Sequence, residues 1–177
     1  MAEKYIITKA DILVYRPTAV LDDDRIKPYI LEAQNMDLKP VLNDVLFLDF
    51  MKNYDNVDTA YDKYRDLLNG KEYTYEGQTI KCDGIKPMLC YYALARFIVN
   101  NPLNVTRMGI VVKATQQSEP ADPAMIRAVV NDLKSIGVTY QHQIEKFLQY
   151  NTATYTLYPY GESSNSNRKS GFKIFKL

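Results

Sequence analysis

The stretch Gly84–Asn101, GIKPMLCYYALARFIVNN, decides how the rest of the chain must fold. Written as a helix, it spreads Ile85, Met88, Leu89, Tyr92, Leu94, Ala95, Phe97, Ile98 and Val99 around most of its circumference. A helix that is apolar nearly all round belongs in an interior, because no single partner can cover it. Arg96 is its only charge after Lys86, and a guanidinium on a long stem can run over apolar neighbours to reach water. Pro87 falls in the first turn, where its missing N–H costs nothing. Asn100, Asn101 and Pro102 stop the helix. The stretch is too short and too rich in Tyr to span a bilayer. It reads as the central helix of a soluble core.

The whole chain sets bounds around that helix. Its 177 residues suit one domain with a core of its own. With 46% hydrophobic and 24% charged residues, disorder throughout is excluded. A net charge of +1 makes no electrostatic case for nucleic acid or membrane as a partner. The composition stands out in two respects, 15 Tyr without any Trp and a single His. Tyr buries a large ring while keeping a polar tip, and it is favoured at protein–protein contacts. Cys82 and Cys90 are too few for a disulfide framework, and nothing at the N-terminus reads as a signal peptide. Two reduced thiols in a cytosol-made protein are expected.

Working outward, Thr8 with Asp11 resembles a capping box and opens a short helix through Ile12, Leu13 and Tyr15, ended by Pro17. Asp22, Asp23 and Asp24 invite a metal reading. Three adjacent carboxylates at a helix start point in different directions, however, and better serve to cap the helix and complement its dipole. That helix runs through Ile26, Tyr29, Ile30 and Ala33, with Pro28 placed in its first turn. Met36–Pro40 is a junction, since Pro disfavours helix in the residue before it. Val45–Met51 is apolar except for Asp49 and reads as a second helix buried on most sides. A more exposed helix carries Val57, Tyr61, Tyr64, Leu67 and Leu68, and Asn69–Gly70 closes it.

Lys71–Asp83 changes period. KEYTY and QTIKC flank a tight turn at Glu76–Gly77, with Tyr73 opposite Ile80, Glu72 opposite Lys81 and Thr74 opposite Thr79. Beyond the central helix, VTRMGIVVKA (residues 105–114) reads as extended, and Gln116–Ala121 as a loop. Asp122 and Pro123 start a long helix through Ile126, Val129, Val130, Leu133 and Ile136, continuing to Tyr140, Ile144, Phe147 and Leu148 with Gly137 as a possible bend. TATYTLYPYG (152–161) alternates like a strand or extended arm. Glu162–Ser170 is polar, and GFKIFKL ends the chain with Phe172, Ile174 and Phe175. This apolar end either docks on a partner or neighbouring subunit, or folds back as an edge strand. The expected fold is mainly α (α+β), a helical bundle around a central buried helix. A β-hairpin is inserted at 71–83, and an extended C-terminal arm (151–177) follows the domain (1–150).

Chemistry is sparse. His142, between two glutamines and with Glu145 one turn on, is the only imidazole through which a nucleophile pair could be built, and a surface position suits it better. There is no CxxC, HExxH, GxxxxGK[ST] or GxGxxG. Glu72 and Glu76 point to solvent in the hairpin. No enzyme, cofactor or metal is expected.

Three blocks together resemble a known family. Tyr15-Arg16-Pro17 and Asp24-Arg25-Ile26 precede LEAQNMDLKPVLND (Leu31–Asp44). The central helix follows, and then Thr106-Arg107-Met108-Gly109 with Val111, Val112, Lys113 and Ser118-Glu119-Pro120. This order resembles the head–tail connector (portal adaptor) proteins of tailed phages, most closely those of phages of Bacteroidetes hosts, including crAss-like phages, over about residues 5 to 150. The resemblance implies a non-catalytic virion protein at the neck, made in the host cytoplasm. It would form a ring, usually a dodecamer, under the portal protein, extending the DNA channel and docking the next neck or tail protein. Phage DNA would pass without sequence-specific binding, and no membrane is involved. It also implies partner docking by the C-terminal segment, for which Tyr155, Tyr158, Tyr160, Phe172, Ile174 and Phe175 are the candidates. Asp22, Asp23, Asp24, Asp55 and Asp58 are candidates to face the channel, where like charge lets DNA slide. The alternatives are another neck or tail component (a stopper or tail-completion protein) and a small helical regulator binding a ligand or peptide in a Tyr-lined groove.

Overall fold

Helix α6, Ile85–Asn100, lies at the centre, with eleven of its residues buried, from Ile85 to Ile98. The computed structural model describes residues 4–17, 21–100 and 123–158. The readings made for 105–114, Gln116–Ala121, Asp122 and everything from Pro159 onward lie outside them. The described residues are mainly helical, with one two-stranded antiparallel hairpin among them. Its buried side chains form a single core.

Helix α1 (Lys9–Tyr15) opens with the expected capping box. The Asp11 N–H donates to Thr8 Oγ1 (3.3 Å), and the Thr8 N–H donates to Asp11 Oδ2 (2.8 Å). Helix α2 (Asp23–Ala33) is capped by Asp22, which accepts from the Asp24 N–H at 2.9 Å. Pro28 lies in the second turn of α2, not the first. It is tolerated because it is exposed, where water can serve the carbonyl it leaves unbonded, while Ile26, Ile30 and Ala33 hold the other face in the core.

The junction read at Met36–Pro40 does not interrupt the helical path. A π turn (Gln34–Leu38) leads directly into α3 (Lys39–Leu42), and Lys39 keeps helical angles although Pro40 follows it. Buried Gln34 shows what stabilises this turn. Its Oε1 accepts from the Ile6 N–H (2.8 Å) and its Nε2 donates to the Lys4 carbonyl (3.1 Å), so one side-chain amide pairs with the backbone ahead of α1.

Asn43, with φ of 63°, breaks α3 from α4 (Asp44–Asn53) and caps the new helix through bonds from Val45 N–H (2.8 Å) and Leu46 N–H (3.0 Å). The expectation that α4 is buried on most sides is corrected. Leu46, Phe47 and Phe50 point inward, but Val45 and Leu48 are 59% and 66% exposed. An apolar run states a preference for burial, and only the neighbouring elements decide how many sides are covered.

Val57 also stands outside its expected helix, 88% exposed ahead of a 3-10 turn (Thr59–Tyr61). Helix α5 (Asp62–Asn69) then buries Tyr64, Leu67 and Leu68. The hairpin, β1 (Lys71–Tyr75) and β2 (Gln78–Cys82), has the expected register, with Tyr73 opposite Ile80, Glu72 opposite Lys81 and Thr74 opposite Thr79. Glu76 (φ 50°) and Gly77 (φ 76°) both take left-handed angles, as a two-residue turn with matching twist requires. Gly70 and Gly84 pinch the hairpin's base. A Cβ on Gly84 would lie 2.4 Å from the Gly70 nitrogen, so the two strands enter and leave where no side chain fits.

Helix α7 (Pro123–Tyr150) runs unbroken and is the most extensive neighbour of α6, with α2 and α1 on other sides. Gly137 lies inside this continuous helix. It gives close approach, since a Cβ there would sit 3.1 Å from the Tyr92 ring of α6. Residues 151–158 are corrected too. They form consecutive turns, with Tyr155 N–H bonded to Asn151 O and Tyr158 N–H to Tyr155 O, rather than a strand. The alternating pattern misled because Tyr155 faces the core of its own domain.

Candidate functional site

Four charged side chains, Glu32, Asp37, Arg96 and Lys134, gather where α2, the π turn and α7 meet α6, in a cleft of about 350 Å³. Arg96 reaches this cleft with its side chain 29% exposed, and carboxylates meet it there. Its Nη2 donates to Asp37 Oδ1 and Oδ2 (both 2.9 Å), its Nε donates to Oδ2 (3.1 Å), and Glu32 lies 3.7 Å from Nη1. Lys134 and Tyr92 line the same cleft, with the Tyr92 hydroxyl donating to Gln141 (3.1 Å). Burial pushes the Asp37 carboxyl up from its usual range, against the pull of Arg96. The guanidinium is thus occupied by carboxylates on the elements it crosses. The arrangement fastens α6 to the π turn and places no nucleophile beside a base.

A second polar point explains Asp49, the acid within the apolar run of α4. Tyr64 Oη donates to Asp49 Oδ2, and Asn53 Nδ2 donates to Asp49 Oδ1 (2.9 Å), so Asp49 ties α4 to α5. Burial first, and then the Asp49 carboxylate, raise the Tyr64 hydroxyl far above its ordinary value. Sequence reading passed over both sites. The available signal was a charge set inside an apolar run, Asp49 in α4 and Arg96 in α6, which demands a partner once buried.

Of the acidic candidates for the channel, all five are exposed. Asp22 caps α2, Asp23 lies in its first turn, and Asp24 pairs with Lys27 (2.9 Å). Asp55 pairs with Lys4 (2.7 Å), and Asp58 accepts from the Ala60 N–H (3.0 Å). They fall into two groups with local partners. Among the described residues, no three His, Cys, Asp or Glu side chains are placed to hold a metal.

The aromatic candidates divide. Tyr155 is 2% exposed, donates to the Lys63 carbonyl (2.7 Å) and stands edge-on to Phe147 at 5.5 Å, and burial raises its pKa strongly. It is part of its own core. Tyr158 is half-buried against that core. Tyr160, Phe172, Ile174 and Phe175 lie outside the described residues. Much of the remaining tyrosine joins elements within the chain. Tyr75 stacks on Tyr150 at 3.8 Å, Tyr73 stands edge-on to Phe147 at 5.3 Å, and Tyr91 stacks on Tyr140 at 5.8 Å. The Tyr75 hydroxyl is pushed up to about 12, first by Glu76 and then by Tyr150.

His142 is exposed and 3.1 Å from Glu145 on its own helix. Cys82 and Cys90 are both buried, and burial raises both thiols, so neither is poised as a thiolate. No helix among the described residues is long and apolar enough to cross a membrane.

Fold and cleft together define a mainly helical domain in which half-buried charges act as fasteners between helices. Residues 38–168 match the profile of DUF6712, a family of unknown function, and the chain belongs to that family. No curated protein and no solved structure matches it.

Proposed function

We propose that this chain is a structural virion protein, a head–tail connector that forms a ring under the portal of a tailed phage. The ring extends the DNA channel and docks the next neck or tail protein, and DNA passes through it without sequence-specific contact. The observation that carries this reading is how the resembling blocks are used. Leu31–Asp44 and Gly84–Asn101 are far apart in sequence, yet Asp37 of the first and Arg96 of the second meet in a bidentate ion pair that lines the cleft between their elements. Blocks that hold helices together suit a protein whose task is shape and assembly.

A ring needs different patches to meet on successive subunits. The exposed face of α5, the hairpin and the outer face of α7 are the surfaces assigned to that contact. Residues Glu162–Leu177 attach the ring to the portal, and Asp22–Asp24 or Asp55 and Asp58 face the lumen. A ring structure with a basic lumen removes this last assignment.

Sedimentation velocity of the purified protein, alone and mixed with the portal from the same genome, tests the reading. Co-sedimentation at a ring-like ratio is expected. Persistent monomer or dimer without portal association moves the chain to another neck component or to a small regulator.

A further inference from the structure

The exposed apolar face of α4 lacks a cover among the described residues, and the chain itself passes beside it. Val45 and Leu48 are one helical turn apart and more than half exposed, while Leu46, Phe47 and Phe50 fill the opposite side. Asn43, the cap of α4, donates through Nδ2 to the Leu157 carbonyl at 3.0 Å. This bond moors the C-terminal turns at the first turn of α4, and Leu157 is itself 39% exposed there. The sequence that continues from this mooring ends in GFKIFKL, which carries Phe172, Ile174 and Phe175.

We infer that, in the free protein, the segment Gly171–Leu177 docks on the Val45–Leu48 face of α4 of its own chain. The tether decides the occupant. From Tyr158 to Phe172 is about 14 residues, and a polypeptide coil of that length has a root-mean-square span of about 20 Å. Helix α4, with its 10 residues, is about 15 Å long and starts at the mooring point. A tether whose span matches the distance holds its end at an effective concentration of about millimolar. A second copy at micromolar concentration competes poorly with that. The inference concerns the unassembled chain and requires no portal, so its failure is distinguishable from failure of the connector reading.

Limited trypsin digestion of the intact protein reads the docking directly, because Lys173 lies inside the docked segment. The double variant Val45→Ser/Leu48→Ser changes only exposed side chains and leaves the domain folded. Cleavage after Lys173 is expected to be about ten-fold faster in the variant than in the parent, since cleavage follows the population of undocked segment. Equal rates overturn the inference. A second variant, Leu48→Cys/Ile174→Cys, locates the occupant, the two native thiols being buried. Under mild oxidation a disulfide within one chain supports the inference. A disulfide between chains, or none at all, overturns it.

Discussion

Helices α4 and α6 read alike as sequence and behave differently as structure. Both are apolar runs with an isolated charge, and both read as interior helices. Around α6, helices α1, α2, α5 and α7 all make contact, and even Cys90 and Ala93 are buried. Around α4, one face enters the core while the described residues leave Val45 and Leu48 exposed. Apolar composition thus sets how much a helix gains from burial, while the number of covered sides depends on what packs there. The isolated charges follow the same division. Arg96 of α6 is clamped by Asp37 from a distant element, whereas Asp49 of α4 takes Asn53 of its own helix and Tyr64 of α5.

The sharpest way to break this comparison is truncation on each helix. Phe97 is 1% exposed and stands edge-on to Tyr29 at 5.7 Å. Phe97→Ala should cost about 3–5 kcal/mol in urea denaturation, from lost transfer energy and the cavity left behind. Should Phe97→Ala prove nearly neutral, α6 is not the interior helix.

Next in size is Arg96→Met, which leaves the Asp37 carboxylate half-buried without its clamp. A loss of about 1–2 kcal/mol at neutral pH is expected, less than for a fully buried pair because the cleft is open to water. Its pH dependence has a definite sign. Burial already raises the folded Asp37 pKa, and removing Arg96 raises it further. The folded variant then holds its proton more tightly than the unfolded chain, so the deficit should shrink as pH falls through the carboxylate range. A deficit that stays constant down to pH 3 would falsify the clamp.

Asp11 tests the other charge of α6, since Lys86 lies 3.4 Å from its carboxylate. Burial pushes the Asp11 pKa up, but the Thr8 bonds and Lys86 outweigh it and hold the folded value below the usual 3.8. Its contribution is therefore fully present above 3.8 and is lost as pH falls through the lower folded value. Asp11→Asn should cost about 1 kcal/mol at pH 7, the scale of a helix cap. The gap from the parent should close in acid, as a series of melts would show.

The smallest effect belongs to α4. Leu48→Ser should move the unfolding midpoint by less than about 0.5 kcal/mol, as exposed sites do. A loss of about 2 kcal/mol would mean that a cover on α4 contributes to global stability, and the two helices would differ less than their burial suggests.

Sequence by itself determined what neighbours within a few residues decide. The Thr8–Asp11 box, the Asp22 cap, the hairpin register about Glu76–Gly77 and the Gly70 stop were all legible, because each is closed by bonds and dihedral preferences local to its turn. The centrality of α6 was legible as well, since no arrangement leaves so apolar a helix outside. Only the tertiary structure decided the rest. Arg96 finds Asp37 across 59 positions, and Tyr155 finds the Lys63 carbonyl across 92. The π turn exists to aim Gln34 at a backbone 28 positions away. These pairings depend on which surfaces meet after collapse, and a pattern along the chain carries no record of which partner arrives. Local preference places the caps and the turn, and packing chooses the partners of the buried charges and the side of α4 that enters the core.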